Sequence, residues 1–113
     1  MENVLNILRN CEYMAENFEN DHYGECTQDE IRQANYEYLY FRDLADYLEI
    51  MLKKEKYTNQ DMIIKMREFF NKKYSDFKEN SRKVISNKKK VILLKESAFR
   101  SVYDVLEDAL SQI

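Results

Sequence analysis

The chain is almost free of the two residues that most often interrupt a helix. It contains no proline and one glycine, Gly24, among its 113 residues. Proline removes a backbone hydrogen-bond donor, and glycine in a helix carries a larger entropy cost than alanine. Leu, Glu, Lys, Met and Gln, which favour helices, are abundant. The sequence therefore predicts an all-α fold and, at this length, a single domain over residues 1–113.

Apolar residues recur at intervals of three and four in four segments, which is the pattern of amphipathic helices. The predicted helices lie at about residues 2–20, 28–55, 59–84 and 87–112. Thr27 and Thr58 are predicted N-caps, each followed three residues later by an acid that completes a capping box. Ser86 is the predicted cap of the fourth helix, although the third and fourth helices could also run together through 81–90. Because the connections are short, we expect an antiparallel four-helix bundle.

The charge is divided between the two halves of the chain. Residues 1–52 carry 12 acidic and 3 basic side chains, whereas residues 53–113 carry 9 acidic and 15 basic ones, so their net charges of −9 and +6 give the −3 of the whole chain. In one interpretation the acidic helices pack beside the basic helices, and exposed ion pairs at the rims contribute only ~0–1 kcal/mol each. In the other, the charge of one half attracts a partner of opposite sign.

The second predicted helix has large residues on two sides. Its predicted core seam consists of Ile31, Ala34, Tyr38, Phe41, Ala45, Leu48 and Leu52. At ~100° per residue, three tyrosines and an aspartate fall on the opposite side. Tyrosine is enriched at protein interfaces because it combines a large contact area with a polar tip. The sequence therefore predicts a partner-binding surface formed by Tyr36, Glu37, Tyr40, Asp43 and Tyr47.

Two alternatives to this surface stay open. The second helix could be central in the bundle and packed on both sides, which also requires apolar residues over a wide arc. The tyrosines could instead lie on a wet face with their polar tips in water.

A basic stretch at the predicted junction of the third and fourth helices offers a different function. Its residues could contact nucleic-acid phosphates, and such binding would weaken steeply with salt. The overall acidity of the chain and the lack of a recognisable nucleic-acid-binding motif make this the second choice. The predicted phosphate contacts are Arg82, Lys83, Lys88, Lys89 and Lys90.

The hexapeptide DHYGEC, residues 21–26, contains the only histidine, the only glycine and one of the two cysteines. His22 with Cys26 falls short of the ligand set that zinc requires, and a thiol nucleophile would also need an oxyanion hole and a group to orient the histidine. Cys11 is expected ~13 Å from the C-terminal end of the first helix, at a rise of ~1.5 Å per residue, and is assigned to the core. The sequence predicts a corner, where Gly24 ends the first helix, and no catalytic, cofactor-binding or metal-binding residue.

The chain has no apolar run near the ~20 residues that a membrane span requires. The N-terminus carries Glu2 ahead of its apolar residues and has no basic region typical of a secretory signal. We therefore expect a cytoplasmic protein without membrane contact. The richness in Lys, Asn, Ile, Glu and Tyr is typical of AT-rich coding sequences, as in low-GC bacteria and their phages and plasmids.

Together these features predict a small, non-enzymatic protein–protein binding module. The expected kind is a stoichiometric inhibitor, an immunity protein or an anti-defence (anti-CRISPR-like) protein of a phage or mobile element, acting through the acidic, tyrosine-bearing face of the second helix. The alternatives are a nucleic-acid-associated protein that uses the basic stretch 82–90, and a homo-oligomer, for example a homodimer joined through the second helix.

Overall fold

The computed structural model describes residues 1–83 and 88–113, and these form an all-helical bundle. Four long helices and one short helix follow one another along the chain. They are α1 (Glu2–Glu16), α2 (Phe18–Asp21), α3 (Gln28–Lys54), α4 (Asn59–Ser81) and α5 (Lys89–Ser111). The predicted all-α fold and its four long helices are confirmed.

The two predicted capping boxes fix the starts of α3 and α4. Thr27 Oγ1 accepts a hydrogen bond from the backbone N–H of Glu30 at 3.2 Å, and the Thr27 N–H donates to the Glu30 carboxylate at 3.0 Å. Thr58 and Asp61 form the same reciprocal pair at 3.0 and 3.1 Å. Each box satisfies backbone donors that the first turn of a helix leaves without partners.

The prediction of one helix over 2–20 was wrong at Asn17, where α1 ends and α2 begins. The backbone of Asn17 leaves the helical region at φ −98° and ψ 12°. Its side-chain Nδ2 donates to the carbonyl oxygen of Tyr13 at 2.9 Å. The backbone N–H of Asn17 still donates to the same carbonyl oxygen at 3.1 Å, so the side-chain amide adds a second donor where α1 ends.

The junction between α4 and α5 lies partly outside the described residues. α4 ends at Ser81, Arg82 and Lys83 form a turn, and α5 begins at Lys89. The predicted helix ends at 84 and 87 and the predicted cap Ser86 fall within 84–87.

Long helices that follow one another along the chain run in opposite directions. Lys73 Nζ lies 2.7 Å from Asp43 Oδ2, and the ring of Phe69 stacks on that of Tyr47. Residue numbers therefore decrease along α4 in the direction in which they increase along α3, so the two helices are antiparallel. In the same way Arg67, near the start of α4, bonds Glu107, near the end of α5.

The α1–α3 pair is antiparallel as well. Leu5 and Leu52 line one hollow between these helices, and Ala15 and Ala34 line another at the opposite end. The start of α1 therefore lies beside the end of α3, as the bundle predicted from the short connections requires.

α3 is the central helix of the bundle. It packs against α1, α4 and α5, and α5 likewise packs against α1, α3 and α4, whereas among the described residues no Cα atom of α1 lies within 8 Å of one in α4. α3 and α5 run parallel along the short diagonal, where Asp29 meets Lys90 and Tyr40 meets Phe99. The cross-section is thus a flattened rhombus, and the principal dimensions of 45 × 35 × 21 Å agree with it.

The largest side chains that are fully buried come from all four long helices. They are Leu8, Leu44, Leu48, Met66, Leu106, Val4 and Val102. Leu48 belongs to the predicted core seam of the second helix, whereas Leu44 and Met51, which are also buried, lie outside that seam. The buried arc of α3 therefore extends further toward the tyrosines than the sequence predicted, and its solvent-facing strip consists of Arg32, Asn35, Leu39, Asp46, Ile50 and Lys53.

Replacing Leu48 by alanine tests the central position of α3. Leu48 is 0 % exposed, and its truncation should lower the free energy of unfolding by about 2–5 kcal/mol, through lost burial and the cavity left behind. Leu39→Ala is the matched control on the solvent-facing strip, where the side chain is 39 % exposed, and should cost less than ~1 kcal/mol. Urea denaturation of both variants measures the difference, and equal losses would contradict the assigned orientation of α3.

Candidate functional site

The predicted partner-binding residues of α3 lie between helices, and all five are at least half-buried. The ring of Tyr40 stacks on Phe99 of α5 with centroids 3.9 Å apart, and that of Tyr47 stacks on Phe69 of α4 at 4.4 Å. Both tyrosines pack against the core. Their placement on an outer face was wrong, because α4 and α5 cover that side of α3.

Polar contacts hold the rest of this face. Lys73 Nζ lies 2.7 Å from Asp43 Oδ2, and Lys95 Nζ lies 5.3 Å from the centre of the Tyr36 ring. The alternative of a central helix packed on both sides describes this arrangement. Partner binding by these residues stays a prediction. A partner would have to contact the outer edges of side chains that lie between helices.

Glu37 occupies the buried arc of α3. At ~100° per residue it falls between Leu44 and Leu48 rather than beside the tyrosines. Burial raises the pKa of its carboxyl, while hydrogen bonds with Ser101 and Gln33 act in the opposite direction. Its carboxylate is therefore poorly placed to meet a partner.

An aromatic cluster joins α4 and α5 to α3. Phe99 is its centre, because the rings of Tyr40, Phe70, Tyr74 and Phe77 all lie within aromatic contact distance of it. Sequence reasoning did not identify Phe99, which is 4 % exposed, as a core residue. Phe99 is the only phenylalanine of α5, and that was the one available signal.

A small hollow brings together the thiol and imidazole groups that the sequence assigned to separate places. Cys11 and His22 both line this space of about 310 Å³ between α1, α2, α3 and α5, together with Glu37. Burial, and then the Glu37 charge, raise the pKa of the Cys11 thiol, which favours the less nucleophilic thiol form. His22 stacks on Phe18, and its Nδ1 lies 2.9 Å from the Phe18 carbonyl oxygen. Within residues 1–83 and 88–113, no group of three His, Cys, Asp or Glu residues is placed to hold a metal ion.

Among the described residues, the two most exposed aromatic side chains and four exposed acids occur within residues 13–25, which we call the acidic segment. Tyr13 is 66 % exposed, Met14 65 % and Tyr23 89 %. The acids of the same segment are exposed and make no ion pair with the described residues; they are Glu16, Glu19, Asp21 and Glu25. This segment carries the acidic, tyrosine-bearing character that the sequence assigned to the second helix.

The predicted phosphate contacts lie at the end of α4 and the start of α5. All five side chains are exposed: Arg82, Lys83, Lys88, Lys89 and Lys90. Lys90 Nζ is 2.9 Å from Asp29 Oδ2 of α3, so one acid of α3 adjoins this basic stretch. Nucleic-acid binding stays a prediction.

A cleft of about 650 Å³ opens beside this stretch, between α4 and α5. Three lysines line it, Lys73, Lys88 and Lys95, with one acid, Asp76. Its size falls in the range of small-molecule sites, about 300–1,000 Å³. We call it the lysine cleft.

Comparison of the chain with protein-family models, with curated proteins and with solved structures gave no match. In the described part of the chain, no helix combines the length and apolar character that crossing a membrane requires.

Truncation of the packed tyrosines should destabilise the fold. We expect Tyr40→Ala and Tyr47→Ala each to lower the free energy of unfolding by about 1–3 kcal/mol, less than the ~3–5 kcal/mol of a fully buried aromatic residue. The control Tyr13→Ala removes an exposed ring and should change stability by less than ~0.5 kcal/mol. Thermal and urea unfolding provide the measurement. If truncation of Tyr40 and Tyr47 changed stability as little as truncation of Tyr13, the packing of their rings between α3 and its neighbours would be refuted.

The half-buried Glu37 predicts a specific dependence of stability on pH. Because its folded-state pKa is raised, its contribution to stability is fully present below the pKa of the unfolded chain and is lost as the pH rises through the folded value. Glu37→Gln should therefore stabilise the protein at pH 7, and the gain should vanish below about pH 4, where the wild-type carboxyl is protonated in both states. Urea titrations across this range test it, with Glu68→Gln as the control for net charge. If the difference in unfolding free energy between Glu37→Gln and the wild type did not change with pH, the raised folded-state pKa of Glu37 would be contradicted.

Proposed function

We propose that the protein is a non-catalytic protein-binding module whose contact surface is the acidic segment. The observation that carries this proposal is the combination of Tyr13, Met14 and Tyr23, each at least 65 % exposed, with acids unpaired among the described residues. Tyrosine and methionine are both enriched at protein interfaces, because they bury large areas on binding. The proposed contact surface for the partner no longer includes Tyr36, Tyr40 and Tyr47, because these tyrosines bind the helices of the bundle to each other.

The layout of charge in the bundle supports a basic partner. The acidic half of the sequence forms one antiparallel pair, α1 with α3, and the basic half forms the other, α4 with α5. Among the described residues, the ion pairs that join the halves are Asp43–Lys73 and Asp29–Lys90. The remaining acids leave a field of one sign on the α1–α3 side, and such a field speeds encounter with a basic surface.

A stoichiometric inhibitor, immunity protein or anti-defence protein of a phage or mobile element is the specific form of this proposal. Enzymes that handle nucleic acids carry basic surfaces for phosphates. An acidic segment could occupy such a surface in place of the phosphates and thereby block it. The chain needs no catalytic group for this action, since the tyrosines provide contact area and the acids provide complementarity.

Comparative affinity capture tests the proposal. Tagged wild-type protein and the double variant Tyr13→Ser/Tyr23→Ser are each used to capture proteins from a lysate of the host. A partner bound by the wild type should be reduced about tenfold or more with the variant, because interface aromatics are frequent hot spots. The matched control is Leu39→Ser/Ile50→Ser, which removes exposed apolar side chains from the solvent-facing strip of α3 and should capture the partner normally.

The charge contribution is measured with the partner identified in that capture. We expect slower association and a weaker dependence of the association rate on salt for the triple variant Glu16→Gln/Glu19→Gln/Glu25→Gln. The control variant Glu68→Gln/Glu79→Gln, which neutralises exposed acids of α4, should associate as the wild type does. Equal retention of the partner by the tyrosine variant and the wild type would reject the acidic segment as the contact surface.

A further inference from the structure

The walls of the lysine cleft are apolar at depth. Tyr40 of α3, Phe77 of α4 and Val91 and Ile92 of α5 line it, and each of these side chains is only half-buried. The buried ring of Phe99 lies beneath them, stacked on Tyr40 and tilted against Phe77. Aromatic and aliphatic groups therefore keep accessible surface inside a concave space between the helices of a bundle, which is a common place for ligand sites.

The charged groups of the cleft have different surroundings. Lys73 is held by Asp43, with 2.7 Å between Nζ and Oδ2. Lys95 lies over the Tyr36 ring, and neither Lys95 nor Lys88 forms an ion pair with a described residue. Asp76 is exposed and is the one acid among the residues that line the cleft. The lining thus has an excess of positive charge next to an apolar floor.

Tyr40 adds a donor to this floor. Burial, followed by the nearby Tyr36 and Asp43, raises the pKa of its phenol to about 12. The hydroxyl group is therefore protonated at neutral pH, and it can donate a hydrogen bond but does not add negative charge to the cleft.

We propose that the lysine cleft binds a small amphipathic anion, a molecule with a planar or otherwise apolar body and one carboxylate, sulfonate or phosphate group. The apolar body packs on Tyr40, Phe77 and the aliphatic residues of α5, and the anionic group meets Lys88 and Lys95 at the rim. This site is independent of the acidic segment, because no residue of 13–25 lines the cleft.

A titration with two matched probes tests the site. The full chain, labelled with ¹⁵N, is titrated with 1-naphthalenesulfonate and, separately, with the neutral 1-naphthalenemethanol. The anion should shift amide signals of residues 73–81 and 88–99 in a saturable manner with one equivalent bound. Its affinity should exceed that of the neutral probe about fivefold or more, as expected for two partly exposed cationic groups.

Charge variants give effects of opposite sign. Lys88→Gln/Lys95→Gln should weaken binding of the anion about fivefold without changing that of the neutral probe, and Asp76→Asn should strengthen binding of the anion. The controls are Lys72→Gln/Lys89→Gln and Glu79→Gln, which change the net charge equally at exposed residues outside the lining. All of these side chains are at the surface or rim, so the variants are expected to fold, and an unchanged urea midpoint checks this.

Several outcomes would overturn the proposal. Equal affinity for the two probes would show that charge does not contribute, and equal effects of the lining and control variants would show general attraction to a basic surface. Signals that shift outside the cleft, or that never saturate, would place the probe elsewhere. If a short single-stranded oligonucleotide bound the protein and abolished the amide shifts caused by 1-naphthalenesulfonate, the cleft would be assigned to nucleic acid instead.

Discussion

The bundle depends on the packing of α3 against three other long helices. A helix with two neighbours needs one apolar stripe, whereas a helix enclosed by α1, α4 and α5 needs apolar or aromatic groups over most of its circumference. Leu44, Leu48 and Met51 meet this need on one side and the stacked rings of Tyr40 and Tyr47 meet it on the other. The flattened cross-section follows, because α3 and α5 lie along the short diagonal and separate α1 from α4.

The aromatic cluster around Phe99 has a second role in shaping the surface. Its rings fill the space between α3, α4 and α5 where short side chains would leave a gap. Beyond the rings, toward the end of α4 and the start of α5, the space is not filled by the described side chains and the lysine cleft opens. The same rings therefore close the core and form the floor of the cleft.

Periodicity and caps predicted the class of fold and the starts of α3 and α4, because a Thr with an acid three residues later acts locally. They did not predict which neighbours would cover α3. The repeat of three and four defines a direction on one helix and is enough to place Glu37 between Leu44 and Leu48. The covering of Tyr40 by α5, in contrast, is tertiary information. The end of α1 at Asn17 was not predicted either.

The acidic segment was recognisable in part from its sequence. DHYGEC drew attention as a possible centre of chemistry because rare residues gather there. The structure instead shows a turn with Gly24 at φ +76°, next to exposed Tyr23 and unburied acids. Exposure could not be read from composition, since tyrosine is common both in cores and at interfaces.

The separation of α1 from α4 has a consequence for how the protein can change. Residues more than ~7–10 Å apart that share no partner usually contribute additively to stability. Substitutions in α1 and α4 that avoid shared α3 and α5 partners should therefore combine without coupling, and these two helices can vary independently in evolution. A substitution in α3 or in α5, which both contact α1 and α4, affects both sides at once, so these two helices limit how far either flank can diverge.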